Sequence, residues 1–515
     1  MISQTGSLQS FDPANLEPLG EVPITQHGDV ERIVEESWQA FDRWQLTNFH
    51  ERSKRILALR RLIEKNKDEI AILISKEVGK PIAESYGSEI QGVLETCNWL
   101  IDSAEKHLKD HLINLNGAVF GSKQSVITFE PLGVVGIIAP WNYPFSIPMM
   151  TMLFSVYAGN AVVLKPSEKS SLVGIKIADL FREAGFPPGV VQVVTGDQST
   201  GKHLSSCRLA KLIFTGSVGS GIKIIEQSAR NVTPLSLELG GKDAAVVLAD
   251  APIEATARGL VWGAFTNAGQ ACASIERVYI VKGKRTEKLI EKIIEFARAL
   301  KVGPATDSNS EVGPLIDEGQ YNKVVAHLEE AVTKGARLAC GGTRVADLKG
   351  FFMEPAVLLD ANHSMLVMTE ETFGPVLPIM VVSSEDEAVA LANQSDYGLT
   401  ASVWSSNLNN GQAVAKDLNV GTVYLNDCLF SHAVPALPWG GIKKSGFGKS
   451  HSYFGLLDLV NIKHISVDAA SKRLWWYPYG GAKAKFLRAG IQLQHGSFFG
   501  KFKAFWDLLV SPFEK

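Results

Sequence analysis

Cysteine is scarce in this chain: Cys97, Cys207, Cys272, Cys340 and Cys428 are the only five among 515 residues, and no two form a CxxC pair. An odd number so widely spaced excludes a disulfide framework or a structural zinc site, so no metal is expected and a reducing compartment fits. Residues 1–20 contain no Lys or Arg and no apolar leader core, which places the protein in the cytoplasm by expectation. Tandem repeats, heptads and low-complexity tracts are missing, so solenoids and fibres are set aside. With a formal net charge of −3, no nucleic-acid partner is expected. Charge is also missing from 131–164, a stretch longer than a membrane span. Pro131, Pro140, Asn142, Pro144 and Pro148 interrupt it. A strand at 133–139, a loop, a helix near 147–158 and a strand at 161–165 account for it as a buried βαβ unit.

What is present is an enzyme-sized body, 45% hydrophobic and 20% charged, enough for two or three globular units. Helical patterning fills 30–109, and 119–129 alternates like an exposed strand with Ser125, Ile127 and Phe129 on one side. Short apolar runs at 190–194, 209–214, 235–239, 244–248 and 278–281 then alternate with helical patterns at 253–265 and 286–300. This rhythm predicts an α/β fold of parallel sheets covered by helices. A second half-polar strand at 459–467 could pair with the one at 119–129 outside the main domains and offer an edge to another subunit.

The last 45 residues are of different material. Between 471 and 515, eight Lys/Arg face only Asp507 and Glu514, and 11 of the chain's 44 aromatic residues gather there. Interleaved aromatics and cations suit peripheral anchoring on an anionic membrane, without a run apolar enough to span it. Packing across a neighbouring subunit, burying Trp475 and Trp476, is the other reading.

Lone cysteines are mostly buried small hydrophobes, but Cys272 follows Gly269-Gln270 between small Ala271 and Ala273, where a substrate carbon could approach a nucleophilic sulfur. Glu238 closes an apolar strand ahead of Gly240-Gly241, and burial there would raise its pKa into the range of a general base. Asn142, between Pro140 and Pro144, could donate its side-chain amide to an oxyanion or make an Asx turn. The run Phe214-Thr215-Gly216-Ser217-Val218-Gly219-Ser220-Gly221 reads as a strand, glycine turn and helix start able to face a pyrophosphate. Lys165-Pro166-Ser167-Glu168 adds a cation and a carboxylate suited to ribose hydroxyls; as isolated signals, both could be solvated loops.

Together these pieces resemble the NAD(P)-dependent aldehyde dehydrogenase superfamily over about 10–470. The matching motifs are Pro-Trp-Asn-Tyr-Pro (140–144), Lys-Pro-Ser-Glu (165–168), Phe-Thr-Gly-Ser (214–217), Glu-Leu-Gly-Gly-Lys (238–242), Gly-Gln-Ala-Cys (269–272), Glu-Glu-Thr-Phe-Gly-Pro (370–375) and Gly-Gly-Ile-Lys-Lys-Ser-Gly-Phe-Gly (440–448). The tail looks similar to C-terminal extensions of one subgroup. The resemblance implies a Rossmann-type cofactor domain (1–113 and 131–238), an α/β catalytic domain (239–445), a small β oligomerisation arm (114–130 and 446–470) and a C-terminal extension (471–515). It makes Cys272 the nucleophile, Glu238 the base for the hydrolytic water, and Asn142 the oxyanion donor with the Cys272 N–H. Trp141, Lys165, Glu168, Gly216, Ser217, Glu371 and Phe373 become cofactor contacts. NAD is implied because Glu168 would repel a 2′-phosphate, and NADP is left open by Lys165 and Ser167. The product would be a carboxylate, and the assembly a homodimer or homotetramer.

The expected substrate pocket comprises Tyr143, Met150, Ala271, Ala273 and the loop 428–438, with no Arg or Lys to clamp a second carboxylate. That favours medium- or long-chain aliphatic or aromatic aldehydes over a semialdehyde. A silent scaffold would have no reason to keep Cys272, Glu238 and Asn142 together, and a cofactor-free thiol esterase would not need the nucleotide elements.

Overall fold

The structure is a computed structural model describing residues 6–115, 120–470 and 476–510; Val119 and Trp475 fall outside the described residues. The chain divides into two compact units, Met1–Lys109 with Thr128–Lys463, and Asp110–Ile127 with His464–Lys515.

The larger unit opens with a hairpin of β1 (Ser7–Phe11) and β2 (Pro18–Pro23). Helix α1 (His27–Trp44) follows and buries Val30, Val34, Ser37, Phe41 and Trp44, the three-and-four spacing of one helix face. Its first sheet has six strands, numbered in chain order: β5 (Val134–Ile138), β6 (Ala161–Lys165), β7 (Val191–Val193), β8 (Lys211–Thr215), β9 (Leu235–Glu238) and β17 (Gly446–Phe447). They lie in the order β17-β9-β8-β5-β6-β7, with β17 alone antiparallel to its neighbour. Strands β5 and β6 are buried throughout, and helix α2 between them (Ser146–Ala158) is buried at every position but Thr151. The uncharged stretch 131–164 is therefore a βαβ core, as its prolines imply.

The second sheet has seven strands: β10 (Asp243–Val247), β11 (Ile275–Val281), β12 (Arg337–Cys340), β13 (Ala356–Leu359), β14 (Val376–Val382), β15 (Thr400–Trp404) and β16 (Thr422–Leu425). Their order is β12-β13-β14-β11-β10-β15-β16, parallel except for the β12 and β13 pair. Only Leu239 to Lys242 separate β9 of the first sheet from β10 of the second. Helices α3 (Val218–Ser228) and α4 (Ile253–Phe265) follow β8 and β10.

A third sheet joins β3 (His111–Ile113), β4 (Lys123–Pro131) and β18 (Val460–Asp468) in the order β18-β4-β3. The two half-polar strands expected from sequence are thus neighbours, though β4 begins at Lys123 rather than 119. Strand β3 gives no sequence signal, because three exposed residues cannot show an alternation. In the smaller unit, helices α5 (Gly481–His495) and α6 (Phe498–Val510) form the C-terminal extension. Among the described residues, no helix is long and apolar enough to cross a membrane.

Candidate active site

Cys272 is presented by a segment held in an unusual backbone. After α4, Asn267, Ala268 and Gly269 all have positive φ, at 51°, 55° and 71°, a region that disfavours side chains. A dense set of hydrogen bonds holds them. The Asn267 amide donates to the Glu84 carboxylate at 2.9 Å, and its Nδ2 donates to the carbonyls of Asn142 at 3.1 Å and Gln270 at 3.0 Å. Gln270 receives the Ile316 amide at 2.9 Å and donates to the Asn267 carbonyl at 3.1 Å. Cys272 and Leu429 both pack against a cluster of Ala273, Leu399 and Trp439. A Cβ on Gly241 would lie 2.4 Å from the Cys272 carbonyl oxygen, and one on Gly240 2.5 Å from the Glu371 carboxylate. The glycine pair after Glu238 is what lets these segments meet.

Asn142 is buried and its Nδ2 donates to the Gln270 carbonyl at 3.0 Å. One amide hydrogen is thereby engaged, and the second is left for another acceptor. The loop carrying Asn142 is anchored by Glu89, which accepts from the Phe145 and Ser146 amides at 3.1 and 2.7 Å. Glu89 in turn pairs with fully buried Lys80 at 2.5 Å, whose ammonium lies 3.6 Å from the centre of the Tyr143 ring. The expectation of no lysine near the pocket is corrected here. Lys80 stands far from 140–144 in sequence, and its charge is committed to Glu89.

Glu238 ends β9, where its Oε2 accepts from Trp439 Nε1 at 3.0 Å and its Oε1 from the Ser450 hydroxyl. Burial pushes its carboxyl up to about 7, with Ser450, Trp439 and the Lys449 charge pulling the other way. A cavity of about 20 Å³ bordered by Glu238, Ser236, Ser450 and Asp458 has room for a single water. Burial, followed by the charges of Glu238, Asp243 and Glu371, pushes the Cys272 thiol up as well. The shift favours the protonated thiol at rest, a point the sequence did not show. Removing the indole donor with Trp439→Phe should raise the Glu238 pKa above about 7. The acid limb of the steady-state pH profile should then move to higher pH by about half a unit to one unit, measured as kcat from pH 5 to 9.

The nucleotide elements gather at the carboxyl ends of adjacent strands in the first sheet, where α/β sheets place ligands. Trp141 and Asn142 follow β5, Lys165 to Glu168 follow β6, Gly216 and Ser217 follow β8, and Glu238 ends β9. Lys165 Nζ pairs with Glu168 at 3.2 Å. Ser217 caps α3, accepting from the Ser220 amide at 3.3 Å. A Cβ on Gly219 would meet nothing within 4 Å, whereas one on Gly221 would lie 2.7 Å from Leu239, so the first turn of α3 is open on the Gly219 side, where a phosphate could approach the helix start. The Trp141 indole lies edge-on to Phe373 with centroids 5.6 Å apart, and the Lys169 ammonium lies 5.4 Å from its ring centre. Glu371 accepts from the Gly241 amide at 3.2 Å, and burial, then the neighbouring Glu276 charge, raises its carboxyl to about 7. The donor set and the open helix start fit a dinucleotide. Tyr143 is half-buried, whereas Met150, Ala271 and Ala273 are buried. A cavity of about 640 Å³ reaches Phe265 and Thr266, but Cys272, Glu238 and Asn142 do not line it.

Sequence reasoning missed the groups that support these side chains. Glu276 pairs with buried Lys242 at 2.5 Å and accepts from the Thr372 and Phe373 amides at 2.8 and 2.9 Å, fixing the turn that carries Glu371 and Phe373. Lys242 stands in a visible motif, but nothing in the sequence singles out Glu276. Trp439 and Ser450 flank the 440–448 motif, and only the fold brings them to Glu238.

A model of the Aldehyde dehydrogenase family matches residues 2–465. The chain is 36% identical over 497 residues to the 4,4'-diapolycopene aldehyde oxidase of Methylomonas sp, covering 95% of this chain and 92% of that protein. It is also 36% identical to aminoaldehyde dehydrogenase 2, peroxisomal, of Malus domestica, covering 91% and 93%. The Mycobacterium tuberculosis aldehyde dehydrogenase complexed with NAD+ superposes with a TM-score of 0.86 at 33% identity, covering 91% of this chain and 95% of that one. The chain belongs to the aldehyde dehydrogenase family and is an NAD(P)+-dependent aldehyde dehydrogenase with that family's α/β fold.

Proposed function

We propose that the protein oxidises medium- or long-chain aliphatic, or aromatic, aldehydes to carboxylates through a thioester on Cys272. The observation that carries this reading is the apolar cluster of Ala273, Leu399 and Trp439 against which Cys272 and Leu429 pack, with Lys80 already paired to Glu89. Nothing in that set would compensate a second charge on the substrate. The Methylomonas relative is named for a diapolycopene aldehyde, with no charged group in its name, and the apple relative for an aminoaldehyde. The packing at Cys272 sides with the former.

Cys272 adds its sulfur to the aldehyde carbon as the thiol gives up its proton to solvent. Asn142 Nδ2 and the Cys272 N–H hold the resulting oxyanion, a contribution of about 10²- to 10³-fold per donor. NAD+, when bound, accepts the hydride. Glu238 then takes a proton from water as the oxygen adds to the thioester, the carbon–sulfur bond breaks and the carboxylate leaves. An acyl transfer to a thiol carrier would not need that carboxylate, so Glu238 favours hydrolysis. Trp141, Lys165, Glu168, Gly216, Ser217, Glu371 and Phe373 would hold the dinucleotide, and Glu168 beside Lys165 favours NAD over NADP. Tyr143, Met150, Ala271 and Ala273 are assigned to the substrate side.

In this reading the first sheet serves cofactor binding (1–113 and 131–238) and the second catalysis (239–445). Strands β4 and β18, of 114–130 and 446–470, serve assembly into a homodimer or homotetramer, supported by the exposed Ile462, Ile465 and Val467 on edge strand β18, while β17 at the start of 446–470 belongs to the first sheet. The free state of all five cysteines supports a reducing cytoplasm. NADH formation over straight-chain aldehydes from two to twelve carbons, beside benzaldehyde, succinate semialdehyde and an aminoaldehyde, tests the substrate class. We expect kcat/KM to rise about 10-fold or more for each two to three methylenes buried. A preference for either charged aldehyde would overturn the assignment.

A further inference from the structure

The C-terminal helix α6 carries an aromatic face of a kind that soluble monomers rarely expose. Phe498, Phe499, Phe502, Phe505 and Trp506 are 82%, 84%, 69%, 54% and 61% exposed, whereas Ala504 is fully buried. At about 100° per residue, those five aromatics span about 120° of arc roughly opposite Ala504, and Lys501 and Lys503 fall about 40° beyond its two edges. The face is continuous and bordered by a cation on each side. Seven Lys/Arg lie between Asp468 and Asp507, and no Asp or Glu does.

We propose that this face docks the protein on an anionic lipid bilayer, with α6 lying in the plane of the headgroups. The helix has 13 residues, about 20 Å at 1.5 Å per residue, which is too short for a hydrocarbon core of about 30 Å. Phe and Trp rings settle at the headgroup level, and lysines at the rim extend their ammoniums to lipid phosphates while their stems stay apolar. A protein partner would have to supply carboxylates along both edges of a ring-shaped aromatic stripe, whereas an anionic bilayer offers negative charge all around it. The docking surface stands on the helix itself and does not depend on the aldehyde assigned above.

The test is flotation of the full chain with phosphatidylcholine vesicles containing about one third phosphatidylserine, against phosphatidylcholine alone. Two variants accompany it, Phe499→Ser/Phe502→Ser/Trp506→Ser and Lys501→Glu/Lys503→Glu. The wild type should float with the anionic vesicles at least 10-fold better than with the neutral ones, with a blue shift of tryptophan emission. The aromatic variant should lose binding on both vesicles, and the charge variant should lose the anionic preference. Both should keep wild-type activity on a short soluble aldehyde, which shows that they fold and separates failure of docking from failure of the catalytic reading. Equal flotation of wild type and variants, or a change in oligomeric mass in place of lost flotation, would overturn the proposal; the latter would make the face a contact with a second copy.

Discussion

Cys272→Ala should abolish aldehyde-dependent NADH formation, by about 10⁴-fold or to background, because no other group can form the thioester. The remaining cysteines offer no substitute. Cys97, Cys207 and Cys428 are buried with thiols pushed up by burial, Cys97 and Cys428 to about 12 and Cys207 to about 11. Half-buried Cys340 lies on β12, at the edge of the second sheet. The substitution shortens a side chain packed beside Ala273 and Leu399 and leaves the hydrogen bonds of Asn267 and Gln270 in place. The melting temperature should therefore stay within about 2 °C, and NAD binding, followed by quenching of tryptophan fluorescence, should persist. Residual turnover above about 1% of wild type in the variant would remove Cys272 from the nucleophile's place.

The sequence displays the proposed catalytic groups far better than it displays their support. Cys272, Glu238 and Asn142 stand in short motifs whose glycines and prolines are visible. The strands that carry them are legible because fully buried parallel strands read as unbroken apolar runs. The helix at Ser146–Ala158 and the strand at Ala161–Lys165 follow from the same logic. Lys80, Glu89 and Glu276 are different. Each is an ordinary charged residue in sequence, and its burial becomes meaningful only when a partner distant in the chain arrives, as Phe145 does for Glu89 and Thr372 for Glu276. The left-handed Asn267 and Ala268 are also invisible, because an αL conformation at alanine is imposed by tertiary hydrogen bonds against local preference. The tail is an intermediate case. Its composition sets it apart from the body, but the arc of aromatics between Lys501 and Lys503 needs a helix to create it.

Replacing Glu238 by Gln should separate the two halves of the reaction. The amide keeps the shape of the side chain and can still meet Trp439 Nε1 and the Ser450 hydroxyl, but it cannot accept a proton. NADH should appear in a burst approaching one equivalent per site, after which steady turnover should fall about 10²- to 10⁴-fold, since the thioester waits for unassisted water. Intact mass after acid quenching should show the acyl group on the protein, and hydroxylamine, which attacks thioesters without a base, should restore turnover. The pH dependence supplies an independent check. In the wild type, buried Glu238 has a pKa of about 7, so steady turnover should decline as pH falls through that value and the carboxylate takes up its proton. In Glu238→Gln that limb should vanish, leaving a flat acid side at the lower rate. A variant that turns over within about 3-fold of wild type would assign the base to another group and leave Glu238 as a positioning residue for Trp439 and Ser450, and a slow variant without a burst would place the need for Glu238 before hydride transfer.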